Sequence, residues 1–147
     1  MATMLTKHFS LEELTASATA KRLGLCNAPD AEGIDNLKRL AETVLEPVRV
    51  RYGKPIIVTS GYRSEKLNAA VGGAKNSSHL TGAAADIRSV SDTIEDNRKL
   101  FNLIAQMIKN GEIEVHQLID EFNMNWIHVS VPSKNRPAKI NQILHLK

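Results

Sequence analysis

Two histidines and one aspartate have the types and the local settings that could hold a metal ion. The run of residues 77–87 reads S-S-H-L-T-G-A-A-A-D-I and carries His79 and Asp86 seven positions apart among small residues. A second run, residues 126–131, reads W-I-H-V-S-V and places His128 on a predicted strand. A catalytic zinc takes three protein ligands from His, Asp or Glu and keeps a fourth position for water. His79, Asp86 and His128 would supply such a set and hold one zinc ion. Spacing alone leaves this reading open. A single His is more often a surface or core residue than a ligand, Asp86 alone could cap a loop, and Glu121 alone could be a solvated strand residue. His8, His116 and His145 keep that plain reading.

Glu121 is the candidate general base. Trp126, His128 and Ser130 share one face of their strand, while Ile127, Val129 and Val131 share the other and read as core. A two-residue turn at Met124 and Asn125 would pair Asn123 with Trp126, Phe122 with Ile127 and Glu121 with His128. Directly opposed residues point to one face with Cβ atoms about 5 Å apart. Glu121 would then reach a water at the metal, as a general base must. A slip of one residue would turn it into the core. Asp120 is the fallback, on the opposite face.

The elements that must position these groups can be read in order. Ser10 and Glu13 form a capping box for a short helix with Leu11 and Leu14 on its apolar side. Residues 16–23 suit a second short helix stopped by Gly24. Pro29 and Asp30 open a longer helix whose apolar stripe runs through Ile34, Leu37, Leu40, Ala41, Val44, Leu45 and Val48. Pro47 should kink it or begin a new turn, and residues 53–55 end it. Residues 56–59 read as a buried strand. A turn from Ser60 to Ser64 leads to a helix over residues 65–70, broken by Gly72 and Gly73. The loop through Lys75, Asn76 and Ser77 then delivers His79. Residues 83–88 read as a strand of small residues with something large packed close over it. Ser91 or Asp92 caps a helix reaching Lys109, with Gly111 as its stop. Residues 115–122 and 126–131 alternate as a hairpin, and residues 140–146 offer a last, edge-like strand. Helices first and hairpins last predict an α+β fold with a mainly antiparallel sheet and helices packed on one side.

Composition narrows the partners. A chain of 147 residues fits one domain with one core, so residues 1–147 are read as a single domain. The formal net charge of +3 is mild. It favours anionic surfaces such as cell wall, but no cluster of Lys and Arg with interleaved aromatics argues for nucleic acid. No apolar run approaches the roughly 18 residues of a membrane span, and the first residues lack the apolar core of a signal peptide. The chain is therefore expected to be made in the cytoplasm and to act outside only if something else releases it. Cys26 is the one cysteine, so an internal disulfide and a cysteine-rich zinc site are both excluded. Oligomeric state is not legible.

The run Ser77-x-His79-x-x-Gly82-x-Ala84-x-Asp86 resembles the S-x-H-x-x-G-x-A-x-D signature of the zinc D-alanyl-D-alanine carboxypeptidase family, which includes phage endolysin peptidases. The likeness extends to the turn from Ser60 to Ser64, to Asn68, to Val71, Gly72 and Gly73, and to Trp126-x-His128. The opening from His8 to Leu14 resembles members carried by phages and prophages. The resemblance covers about residues 9–131. It implies a hedgehog/D-Ala-D-Ala peptidase-like fold, zinc held by His79, Asp86 and His128, and Arg63 beside the substrate carboxylate or carbonyl. A guanidinium suits that place because it presents a fixed fork of donors. Ser77 and Trp126 are the further substrate-binding candidates.

One departure from the family pattern matters. Many members place the catalytic carboxylate three residues before the last zinc His. Here that residue is Asn125, which cannot act as a base, and Glu121 stands seven residues before His128. The related hedgehog signalling domain has a similar Glu on the preceding strand of a hairpin. The implied activity is zinc-dependent hydrolysis of peptide bonds in peptidoglycan, with Glu121 and Arg63 as catalytic residues. The alternative is a non-catalytic, metal-containing wall-binding or phage structural module, recognised by a fourth protein ligand on the metal.

Overall fold

The computed structural model describes residues 3–121, 123–133 and 141–146. The N-terminal third is helical, and its helix boundaries follow local chemistry. Helix α1 (Leu11–Thr15) starts at the expected capping box, with Ser10 accepting from the Glu13 N–H and the Glu13 carboxylate accepting from the Ser10 N–H. Helix α2 (Ala18–Leu23) begins two residues later than expected because Ser17 caps it through the Ala20 N–H. Gly24 ends it in the left-handed conformation. Asp30 caps α3 (Ala31–Leu40). The helix then widens into a π-helical segment, Ala41–Leu45, before α4 (Glu46–Tyr52). Pro47 lies in the first turn of α4. It has no N–H to return to the carbonyl four residues back, so the ladder loosens immediately before it. The stripe from Leu37 to Val48 is buried as its spacing predicts.

The remaining elements form a five-stranded sheet in the order β1-β2-β4-β3-β5. These strands are β1 (Ile56–Ser60), β2 (Ala84–Ser89), β3 (Gln117–Glu121), β4 (Trp126–Ser130) and β5 (Gln142–Leu146). β1–β2, β2–β4 and β4–β3 are antiparallel. β5 runs parallel to β3 at the edge. Helix α5 (Glu65–Ala70) lies between β1 and β2 in the chain, and α6 (Ile94–Lys109) between β2 and β3. The fold is thus α+β with a mainly antiparallel sheet.

Period-two alternation sorts the sheet into two faces. Ile87, Ala85, Ile127, Val129 and Leu118 join Leu37, Leu45, Leu100 and Ile104 in one apolar cluster. Asp86, His128, Glu121 and Trp126 fall on the other face. Helix α6 lies against β2 and β4. Its cap is Thr93, which accepts from the Asp96 N–H, and not Ser91 or Asp92. Those two belong to a preceding turn in which Asp92 takes a positive φ of 54°. Among the described residues, no helix is long and apolar enough to cross a membrane.

The hairpin register differs from the one expected. Glu121 pairs with Trp126, Asp120 with Ile127 and Ile119 with His128. The strands are therefore joined by residues 122–125 and not by a two-residue turn. Asn123 and Met124 both adopt positive φ, 56° and 67°. The Met124 N–H donates to Asp120 Oδ1 at 2.8 Å, and Asn97 Nδ2 donates to the Met124 carbonyl at 2.7 Å. These bonds draw Met124 into the buried side and lengthen the connection. The shift is two residues, so parity is preserved and Glu121 stays on the face of His128. The expected pairing of Phe122 and the start of the last strand at Ile140 lie outside the described residues.

Candidate metal centre

His79 arrives on a single 3₁₀ turn, Ser78–Thr81. Ser77 Oγ accepts from the His79 N–H at 3.2 Å and sets the start of this turn. Gly82 ends it at φ +76°, and a Cβ there would stand 2.5 Å from the Gly33 carbonyl of α3. Only glycine meets both demands. Asn36 on α3 donates to the Thr81 carbonyl at 2.7 Å. The turn is thereby clamped to α3, and His79 is 1% exposed.

The His79 ring is held in one tautomer. Its Nδ1 lies 2.6 Å from the Gly61 carbonyl, an acceptor only, so Nδ1 carries the proton. Nε2 is left as a bare lone pair, buried without a hydrogen-bond partner. A ligating His commonly donates its other ring N–H to a carbonyl in this way. The Arg63 N–H donates to the His79 carbonyl at 3.0 Å and ties the same turn to the strand end after β1.

Asp86 and His128 meet through the sheet. They are directly opposed in the β2–β4 register and so share a face. His128 Nδ1 lies 3.0 Å from Asp86 Oδ1, and His79 Nε2 lies 3.3 Å from the same oxygen. The two imidazole rings stand edge to face with centroids 5.1 Å apart. Burial opposes charge on Asp86, but the hydrogen bond from His128 and the imidazole of His79 close beside it outweigh burial and hold the carboxyl well below the usual carboxylate range. One potential ligand atom from each residue lies within 4.8 Å of the others. Zinc at its usual bond lengths sets tetrahedral ligand atoms roughly 3.4 Å apart. The residues fit that ion on donor type, on separation and on the orphaned Nε2.

Beside this cluster lies a cleft of about 610 Å³, lined by Arg63, Asp86, Glu121 and Trp126 with the loop between α1 and α2 along another wall. Trp126 Nε1 donates to Glu121 Oε2. Asp120 faces the other side of the sheet, and both its oxygens are engaged, one by the Met124 N–H and one by His145. Asn125 is an exposed loop residue whose N–H closes the turn onto the Glu121 carbonyl. His8 pairs with Glu46. Burial lowers the pKa of the Arg63 guanidinium, with the charges of Asp86 and Glu121 opposing the shift. Its Nε is buried without a partner. A Cβ on Gly73 would stand 2.8 Å from an Arg63 Nη and 2.0 Å from Asn68 Oδ1, so that glycine makes room for both groups.

Two contributors are not legible as site groups from their residue types. The Gly61 carbonyl that fixes His79 is a backbone group, invisible as a residue type. Its glycine is required because a Cβ would stand 2.1 Å from the Leu14 carbonyl. The wall formed by Ala16, Ser17, Ala18 and Thr19 is built of small residues that no motif singles out.

The family model described as Peptidase M15 matches residues 7–130, close to the span of the resemblance read from the motifs. No curated protein is matched.

Proposed function

The chain belongs to the peptidase M15 family, and from that premise we propose that it hydrolyses peptide bonds in bacterial peptidoglycan, as a D-Ala-D-Ala carboxypeptidase or an endolysin-type endopeptidase. Membership makes it a zinc metallopeptidase with a peptide substrate. The observation that carries the reading is the convergence of His79, Asp86 and His128 beside an open cleft. Among the described residues that cluster offers three protein donors, the number of a catalytic rather than a closed structural site.

His79 Nε2, Asp86 and His128 Nδ1 would hold the ion. When bound, zinc supplies a Lewis acid that polarises the scissile carbonyl and lets water ionise near pH roughly 7. Glu121 takes a proton from the attacking water as the oxygen bonds to the carbonyl carbon. It returns that proton to the amine nitrogen as the C–N bond breaks. Arg63 receives the substrate carboxylate or carbonyl with its fork of donors. Trp126 borders the peptide. Ser77 contributes through the turn that it caps, by keeping His79 aimed at the ion. The chain would act at the cell wall, on release by phage lysis or from a virion.

The test is mass spectrometry of a purified peptidoglycan digest, with and without a chelator, using the native chain and Glu121→Gln. Chelator-sensitive release of peptide fragments, lost in Glu121→Gln, is expected. The fragments name the bond. Zinc-loaded chain that binds the wall and releases nothing would overturn hydrolysis and leave a binding module. Full release by Glu121→Gln would remove Glu121 from its role.

A further inference from the structure

Glu121 does not stand alone at the mouth of the cleft. Trp126 is its cross-strand partner at the end of the hairpin, and the indole Nε1–H donates to Glu121 Oε2. Directly opposed residues hold their side chains side by side, so this bond is built into the register. An indole nitrogen is a donor only. It cannot take up the proton that the carboxylate handles, so it stays a donor in either protonation state of the glutamate. Oε1 receives no hydrogen bond from any described residue.

Mobility gives this bond its purpose. A glutamate side chain has three torsions and samples many rotamers when free. A tryptophan has two and is stiffer. Trp126 is also two residues from His128 on the same face of β4. The strand that delivers a metal ligand therefore also delivers the group that fixes the carboxylate. We propose that Trp126 is a positioning residue, whose indole N–H pins one oxygen of Glu121 so that the other is presented to the reacting water. The inference rests on the reading of Glu121 as the base.

The test uses full-length, zinc-loaded chain on purified peptidoglycan, comparing Trp126→Phe, Glu121→Gln and the double variant. Phe keeps an aromatic ring and deletes the donor. Trp126→Phe is expected to lower kcat roughly 10- to 100-fold, the effect of a misplaced group, with KM changed by less than about twofold and zinc content retained. Glu121→Gln should lose more, roughly 100-fold or beyond, and the double variant should be no slower than Glu121→Gln alone. A rise in KM at unchanged kcat, or losses that multiply in the double variant, would overturn the positioning role and leave Trp126 as a substrate contact alone. Full turnover by Glu121→Gln would instead overturn the base assignment and the inference built on it. A second measurement does not need activity. The chain has one tryptophan, so the ultraviolet resonance Raman band that senses hydrogen bonding at the indole nitrogen has a single source. It should report a weaker bond in Glu121→Ala than in the native chain, and an unchanged band would overturn the pair.

Discussion

His128 stands directly across the β2–β4 ladder from Asp86, with its Nδ1 3.0 Å from Asp86 Oδ1. The pair is thus set by backbone register, and His79 is added from a turn that contacts β2. Asp86 Oδ1 lies within reach of both imidazoles, so it is the hub of the cluster. Asp86→Ala should reduce zinc affinity by more than the roughly 10- to 100-fold carried by outer partners of a metal site. Competition against a chromophoric chelator measures it. Zinc should also stabilise the native chain by mass action, by about 4 kcal/mol at a thousandfold excess over Kd, visible as a higher melting temperature, and Asp86→Ala should lose most of that rise.

Gly61 and Gly82 support His79 from two sides. At Gly82 an alanine meets both a left-handed backbone and the Gly33 carbonyl at 2.5 Å. At Gly61 the obstacle is the Leu14 carbonyl at 2.1 Å, and the backbone that must move carries the acceptor for His79 Nδ1. Each substitution to Ala should destabilise the chain by about 1–3 kcal/mol, read from thermal unfolding of the metal-free protein. Gly61→Ala should also weaken zinc binding in the range of a lost outer-shell partner, roughly 10- to 100-fold.

The parts of the fold that local chemistry decides are legible in the residues themselves. The capping box at Ser10 and Glu13, the stripe of α3 and α4, and the alternation through Ile127, His128 and Val129 each follow from patterns a few residues long. The three metal-ligand candidates stand out because His and Asp are unusual among small residues and on apolar strands. The hairpin register does not. It is decided by Asn97 on α6 and Asp120 on β3 gripping Met124, and no window of the hairpin alone contains Asn97. The cleft wall from Ala16 to Thr19 is hidden for a related reason, since small residues acquire a role only from what folds against them.

The N-terminal segment is held by a pair that acid should loosen. His8 holds Glu46 by two bonds, its backbone N–H to Oε1 at 2.8 Å and its Nδ1 to Oε2 at 2.5 Å. Burial opposes the charge on Glu46, but the hydrogen bonds and charge of His8 prevail and keep its pKa below the ordinary glutamate value. A carboxyl lowered on folding adds stability that is complete above its unfolded pKa. That contribution disappears as pH falls through the lower folded value. Glu46→Gln should therefore cost about 1 kcal/mol at neutral pH, and the gap to the native chain should close in acid. Urea unfolding at a series of pH values would show it, and a gap that widened in acid would contradict the assignment.

Asn97 links stability to the chemistry of the cleft. It is 1% exposed. Its Oδ1 accepts from the Ser89 N–H and hydroxyl, and its Nδ2 donates to the Met124 carbonyl. It therefore ties the end of β2 to the loop that joins Glu121 to Trp126. Asn97→Ala would strand the Ser89 N–H and the Met124 carbonyl, while the Ser89 hydroxyl keeps Ser91 and the Asp92 N–H as partners. The cost is about 1–3 kcal/mol for each group that water cannot reach, roughly 2–6 kcal/mol together. Denaturant unfolding should register a loss in that range. Because the loop that follows Glu121 is released, kcat on peptidoglycan should fall while zinc content is held, since none of the three metal-ligand candidates hydrogen-bonds Asn97. Equal loss of zinc and of turnover would mean instead that the variant disturbs the whole sheet.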